Sequence, residues 1–199
     1  MNLPNKLTIL RLIFIPFYIF FMMMDPVMIS SSANCVFFSH IALVIFILAS
    51  LTDTFDGKIA RKYNMITDFG KFADPLADKI LVVSAMVCFV ALGRMPYWVV
   101  IIILAREFAV SGFRLVIAGK GVVLAASIIG KMKTCWQMTM CGLMTFDMAT
   151  LVTKYGWPSV ISTVYDVLTQ VAMYGALALT IISMIDYFYK NRKNFSTKN

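Results

Sequence analysis

An all-α, polytopic membrane protein with six spans is the fold class this sequence predicts, and three observations carry it. Of 199 residues, 60% are apolar and 14% charged, against roughly 45–50% and about 25% in an ordinary soluble domain. The mean hydropathy is +0.82, and a chain of this size has too little interior to hide so much apolar surface from water. The apolar residues also gather into six long stretches parted by short loops. The same composition excludes disorder, which needs low hydrophobicity and high net charge.

A helix crossing the ~30 Å hydrocarbon core needs about 20 mostly apolar residues. The stretches that meet this are 7–24, 35–61, 71–93, 96–118, 125–153 and 159–189. The second carries a polar end beyond Thr52. The third is short if counted from Ile80, and reaches full length if its helix begins near Lys71 with acidic first turns at the membrane surface. The sixth is long enough to tilt or protrude. Asp25-Pro26, Met95-Pro96 and Trp157-Pro158 punctuate three of the loops. No internal repeat or low-complexity segment is present, so one integral membrane domain over 1–199 is expected. Residues 1–6 lack the layout of a removable signal, and the first apolar stretch is expected to remain in the mature protein. The four cysteines (Cys35, Cys88, Cys135 and Cys141) lie in apolar stretches without metal-ligand spacing and read as packing residues.

Lys and Arg concentrate in cytoplasmic loops. One side of the predicted bundle collects Lys6, Arg11, Lys58, Arg61, Lys62, Lys71, Lys79, Arg106, Arg114, Lys120, Lys131, Lys133, Lys190, Arg192, Lys193 and Lys198. The other side has Arg94 and Lys154. Both termini are therefore expected in the cytoplasm, and the net charge of +8 reads as membrane orientation, with no nucleic-acid partner.

The acidic residues cluster. Asp53, Asp56, Asp68, Asp74 and Asp78 fall within 26 positions, where spans two and three meet the cytoplasm. Asp53 and Asp56, spaced i, i+3, share a helix face ~4.5 Å apart along the axis; Asp74 and Asp78, spaced i, i+4, do so ~6 Å apart. A short connection makes the two helices antiparallel neighbours, so the pairs can face one another. Acidic residues are favoured at helix N-termini, but Asp53 and Asp56 sit at the opposite end, where the dipole disfavours them. Four converging carboxylates repel unless protonated or bridged by cations. Their hard oxygens suit Mg²⁺ or Mn²⁺, and two such ions ~3.5–4 Å apart form an arrangement used in phosphoryl displacement. Gly57 and Gly70 leave room for a bulky group against the backbone, and Arg61 can pair with a phosphate.

Written out, Asp53-x2-Asp56-Gly57-x2-Ala60-Arg61-x8-Gly70-x3-Asp74-x3-Asp78 resembles the signature of the CDP-alcohol phosphotransferase family at every fixed position and spacing. The resemblance implies a six-span membrane enzyme, usually a homodimer, that displaces CMP from a CDP-linked lipid or alcohol with an acceptor hydroxyl. It implies that Asp53, Asp56, Asp74 and Asp78 hold two divalent ions, and that Asp78 also acts as general base. It implies a CDP-diacylglycerol site made by Gly57, Ala60, Arg61 and Gly70, with Thr67 and Asp68 nearby. Asn5 and Thr8 match an Asn-x-x-Thr pair of the same nucleotide site.

A wider set of residues is similar to the phosphatidylglycerophosphate synthase branch of that family: Pro4 to Thr8 with Arg11, Asp74 to Lys79, Arg106-Glu107 with Ser111-Gly112 and Arg114, and Gly130-Lys131-x-Lys133-Thr134 with Gln137. This implies transfer of the phosphatidyl group from CDP-diacylglycerol to sn-glycerol 3-phosphate, with phosphatidylglycerophosphate and CMP as products, at the inner face of a bacterial cell membrane. The basic residues agree. Arg106 and Arg114, eight apart, project within about 80° of each other, and Lys131 and Lys133 lie across the next cytoplasmic turn. An acceptor that carries its own phosphate needs such cations, and charges inside a membrane are costly enough to read as functional. Glu107 is placed to orient one of them. Rival readings are another enzyme of the family, such as a CDP-dependent cardiolipin synthase, an intramembrane prenyltransferase, or a polytopic transporter. The transporter predicts internal repeats and interrupted spans near the midplane.

Overall fold

A computed structural model of the chain describes residues 3–28, 32–62, 68–118 and 128–190. Within these, residues 3–7, 25–28, 32–36, 53–62, 68–75, 118, 149–150 and 153 are described by their backbone alone. The described residues are helical throughout apart from short turns: α1 (Leu3–Met28), α2 (Ser32–Lys62), α3 (Asp68–Ala91), α4 (Tyr97–Ala118), α5 (Ile128–Thr145), α6 (Met148–Tyr155) and α7 (Ser159–Lys190).

The chain divides into two compact units, 1–94 with 141–166 and 95–140 with 167–199. In the first, α1 packs against α2 and α3, and α2 packs against α3 and α6. Thr8, Arg11, Ile15, Tyr18 and Met22 form the buried stripe of α1, at the three- and four-residue steps that keep one helix face inward. Leu10, Ile13, Phe17 and Phe20 face outward. In the second unit the inward face of α7 is Ala172, Met173, Ala176, Thr180, Ser183 and Tyr187, while Val171, Tyr174, Ile181, Ile182 and Ile185 are exposed.

Each unit thus encloses a few polar side chains, among them Thr8 and Arg11 in the first and Arg106, Thr180 and Ser183 in the second, within an apolar core, and exposes many large aliphatic and aromatic side chains. Water would penalise such a surface, whereas lipid tails are as apolar as leucine. Among the described residues, α7 is the helix long and apolar enough by itself to cross a membrane. Thr8–Met24 and Phe37–Thr52 are shorter apolar helical stretches.

The expected fifth span over 125–153 is two helices. An unbroken helix would use the Leu143 and Met144 carbonyls to accept the amides of residues 147 and 148. Here the Tyr165 hydroxyl donates to the Leu143 carbonyl at 2.6 Å, and Arg94 Nη1 donates to the Met144 carbonyl at 3.1 Å. Arg94 Nη2 also lies 3.2 Å from Asp147 Oδ2. Asp147 occupies the position before α6, where aspartate is a favoured N-cap. The last carbonyls of α5 are therefore satisfied by side chains distant in sequence, and the helix ends there.

Arg94 reaches this point because α3 closes in a tight left-handed turn. Gly93 has φ +68°, its amide donates to the Val90 carbonyl at 3.0 Å, and the Arg94 amide reaches back to the Phe89 carbonyl at 2.8 Å. This is the double bond pattern of a glycine-terminated helix. Gly156, with φ +66°, ends α6 in the same way, the Trp157 amide bonding the Val152 carbonyl at 3.0 Å.

Candidate active site

The acidic signature occupies the end of α2 and the start of α3. Asp53, Asp56, Gly57, Ala60 and Arg61 lie on the last three turns of α2, and Asp68, Gly70 and Asp74 on the first two turns of α3, all described by backbone alone. Thr67 lies outside the described residues. The i, i+3 and i, i+4 registers of the two pairs hold, because both segments are continuous helix. Five residues separate the helices, a connection short enough to make them neighbours, and the two helices pack together. Asp78 is half-buried, with its Oδ1 buried, one residue beyond the fully buried Ala77.

Among the described residues no group of three or more histidine, cysteine, aspartate or glutamate side chains is gathered; the side chains of Asp53, Asp56 and Asp74 lie outside that set. The donors fit a hard divalent ion by their chemistry. All four are carboxylates, and the described member encloses one of its oxygens.

On α1, Asn5 is helical backbone, and Thr8 and Arg11 are fully buried one turn apart. Arg11 had no assigned role beyond its place in the motif. Its complete burial, on the helix that packs against both α2 and α3, is the signal that marks it.

The second unit holds the basic residues. Arg106 on α4 is buried, and so is Lys133 on α5. Glu107 Oε1 joins them, accepting from Arg106 Nη1 at 3.3 Å and from the Lys133 ammonium. The other face of the Arg106 fork meets α7, where Nη2 donates to Ser183 Oγ at 2.9 Å. Arg106 Nε is buried and makes no hydrogen bond among the described residues. Arg114 is exposed, with its guanidinium 5.4 Å from the centroid of the Tyr187 ring. Lys131 is exposed and Lys133 buried because residues two apart point in nearly opposite directions around a helix.

Two groups escaped the reading of the sequence. Ser183 and Tyr187 sit in an apolar stretch, where they look like ordinary packing residues. Their only local signal is the i, i+4 spacing, which puts them on one face of α7 with Thr180.

Comparisons with known proteins show the family to which the sequence belongs. Residues 1–182 match the profile of the family described as CDP-alcohol phosphatidyltransferase. A Bacillus subtilis (strain 168) protein named CDP-diacylglycerol–glycerol-3-phosphate 3-phosphatidyltransferase is 38% identical over 202 residues, covering 100% of this chain and 99% of its own length. A Rickettsia felis protein of the same name is 34% identical, with 98% and 97% of the two chains covered. A Mycobacterium tuberculosis (strain H37Rv) protein named probable phosphatidylglycerophosphate synthase is 37% identical, covering 94% of this chain and 79% of its own. With its paired carboxylates on neighbouring helix ends and a match that runs over nearly the whole sequence, the chain belongs to the CDP-alcohol phosphatidyltransferase family.

Proposed function

We propose that this chain transfers the phosphatidyl group of CDP-diacylglycerol to sn-glycerol 3-phosphate, releasing CMP and forming phosphatidylglycerophosphate. The observation that carries the choice of acceptor is the cluster in which buried Arg106 and Lys133 share the half-buried Glu107 carboxylate. Two buried cations sharing one carboxylate make a setting that favours a further anion beside them. A phosphomonoester brings up to two negative charges, whereas serine or a neutral alcohol brings no phosphate. The names of the relatives point to the same substrates.

In this reading Asp53, Asp56, Asp74 and Asp78 hold two ions, Mg²⁺ or Mn²⁺. When bound, such ions neutralise pyrophosphate charge and stabilise the leaving CMP. Gly57, Ala60, Arg61, Thr67, Asp68 and Gly70, with Asn5 and Thr8 on α1, bind the CDP moiety. Arg106, Arg114, Lys131 and Lys133 receive the acceptor phosphate. Asp78 takes the proton of the glycerol hydroxyl as its oxygen attacks the phosphorus that carries diacylglycerol. The bond from that phosphorus to the CMP oxygen breaks, and CMP departs.

The protein spans the membrane six times as a homodimer, with the site and both termini on the cytoplasmic side. The apolar outer faces of the helices support the spans and the bias of basic residues supports the orientation, while the homodimer is what the family resemblance implies.

The test is CMP release by the purified full chain with CDP-diacylglycerol and Mg²⁺ or Mn²⁺, compared across glycerol 3-phosphate, phosphatidylglycerol, serine and inositol phosphate. Glycerol 3-phosphate is expected to support turnover. Turnover with another acceptor in its place overturns the assignment. Asp56→Asn is expected to insert normally and to release no CMP, and normal release would refute the metal role.

A further inference from the structure

We infer that Ser183 and Tyr187 of α7 are positioning residues for the acceptor phosphate, each fixing one of the two arginines of α4. The inference rests on the proposed function and names residues that neither the family signature nor the basic motifs contain.

Ser183 is committed as an acceptor. Its hydroxyl proton is donated to the Thr180 carbonyl at 3.0 Å, so its oxygen presents lone pairs to Arg106 Nη2, 2.9 Å away. Thr180 is itself turned inward and bonds the Ala176 carbonyl at 2.7 Å. The hydroxyl that meets Arg106 is thereby held on a rigid helix, and its direction follows from the helix backbone. On the opposite nitrogen, Glu107 Oε1 accepts from Nη1 at 3.3 Å. A guanidinium pinned through both terminal nitrogens cannot swing. Its buried Nε–H, which makes no hydrogen bond among the described residues, then faces a defined direction beside Nη2. Those two donors form one edge of the fork, the edge that matches two oxygens of a phosphate.

Tyr187 acts on Arg114 through its ring. The guanidinium carbon lies 5.4 Å from the ring centroid. The ring is held edge-on by Phe113, at 5.8 Å and 86° between planes, and by Phe188 at 6.2 Å and 83°. Tyr187 is buried whereas Arg114 is exposed. An exposed arginine on a four-bond stem would otherwise sample many rotamers, and a fixed aromatic face restricts them. Ser183 and Tyr187 are four residues apart on α7, and Arg106 and Arg114 eight apart on α4. Two turns of one helix are thus set by one turn of the other.

The experiment is initial-rate kinetics of the full chain in detergent, varying glycerol 3-phosphate and CDP-diacylglycerol separately, with the thermal midpoint read with and without inorganic phosphate. Ser183→Ala is expected to raise KM for glycerol 3-phosphate about tenfold, the loss for one hydrogen bond to a charged group. KM for CDP-diacylglycerol and kcat should stay within about twofold, and the stabilisation by phosphate should shrink. Ser183→Thr, which keeps the hydroxyl, should restore both readouts. Tyr187→Leu is expected to raise the same KM about threefold to tenfold, and Tyr187→Phe, which keeps the ring, to stay near wild type. The inference is overturned if Ser183→Ala leaves KM for glycerol 3-phosphate and the phosphate effect unchanged. Equal loss toward both substrates, not restored by Ser183→Thr, overturns it as well. A wild-type chain that uses a different acceptor defeats the proposed function. Stabilisation by inorganic phosphate, lost in Ser183→Ala, would still uphold the positioning role.

Discussion

Replacing Glu107 by glutamine removes one negative charge and keeps the shape, so it isolates the electrostatics of the Arg106–Glu107–Lys133 cluster. In the wild type, Oε1 receives both Arg106 Nη1, at 3.3 Å, and the Lys133 ammonium, and both cations are buried. At 3.3 Å a unit charge pair is worth about 5 kcal/mol with an effective dielectric constant of about 20. Much of this offsets the cost of dehydrating the ions, and removing one partner of a buried pair typically costs about 3–5 kcal/mol. Taking the lower end, Glu107→Gln should lose about 3 kcal/mol of stability, roughly a 6–12 °C fall in thermal midpoint for a chain of this length. Inorganic phosphate should reverse part of that loss, because an anion restores the missing charge, and it should stabilise the variant more than the wild type. The assay is thermal unfolding in detergent across a phosphate titration, with chloride at matched ionic strength as control. A variant within about 2 °C of wild type, or one that phosphate and chloride protect alike, refutes the reasoning: a drop of under 1 kcal/mol is the scale of an exposed pair.

Other perturbations test the frame around the site. A Cβ on Gly175 would lie 2.9 Å from Trp136 Nε1 and 3.0 Å from Cζ2, where the indole donates to the Ala172 carbonyl at 2.9 Å. Gly175→Ala should therefore cost about 1–3 kcal/mol, and Trp136→Phe in the same chain should make the alanine cheaper, which a double-mutant cycle by thermal unfolding measures. Gly93→Ala meets no neighbouring atom within 4 Å, so its cost is that of holding a Cβ at positive φ, about 1–2 kcal/mol; a fall twice that size would point to a clash. Arg94→Met and Asp147→Asn, combined in a cycle, should show a coupling of about 1–3 kcal/mol, and additivity would remove the pair from the account of why α5 stops.

The parts of the fold that were legible in the sequence are those written in local patterns. α2, α3, α4 and α7 follow the expected stretches because proline, glycine and charge mark their ends, whereas α1 continues through Asp25 and Pro26 to Met28, so that pair does not lie in a loop as the sequence suggests. The acidic string was legible because both registers sit inside continuous helices, and helical spacing is a property of neighbours in sequence. The break at Phe146–Asp147 was not, because its causes are Arg94 and Tyr165, one on α3's closing turn and one on α7. Residues 143–148 alone give no reason to stop. Lys131 and Lys133 looked equivalent until a face was assigned to α5, and then only one could point inward. Ser183 was illegible for another reason: a serine in a membrane helix is as commonly a small packing residue as a hydrogen-bonding one, and only the position of Arg106 decides between them.

The contrast between α4 and α7 shows how the chemistry is divided. α4 carries Arg106, Glu107 and Arg114 within 22 otherwise apolar residues, and those three charges, not its average composition, keep it from passing as a span. Yet Ile101, Ile102, Phe108, Leu115 and Val116 are exposed while Arg106 is buried. A count of charges along the sequence ignores the face each one occupies, and so penalises the helix for Arg106, which an outer lipid would barely meet. α7 presents the reverse case. It passes as a span, since its inward face uses alanine, threonine and serine in place of ions. Those hydroxyls satisfy their own backbone carbonyls and still offer an oxygen sideways, so they can hold a neighbour's cation without placing a second charge in the membrane. The helix whose buried residues include no ion is therefore suited to fix the arginine on the helix that carries three charges, and Arg106 is held from that side without a further buried ion.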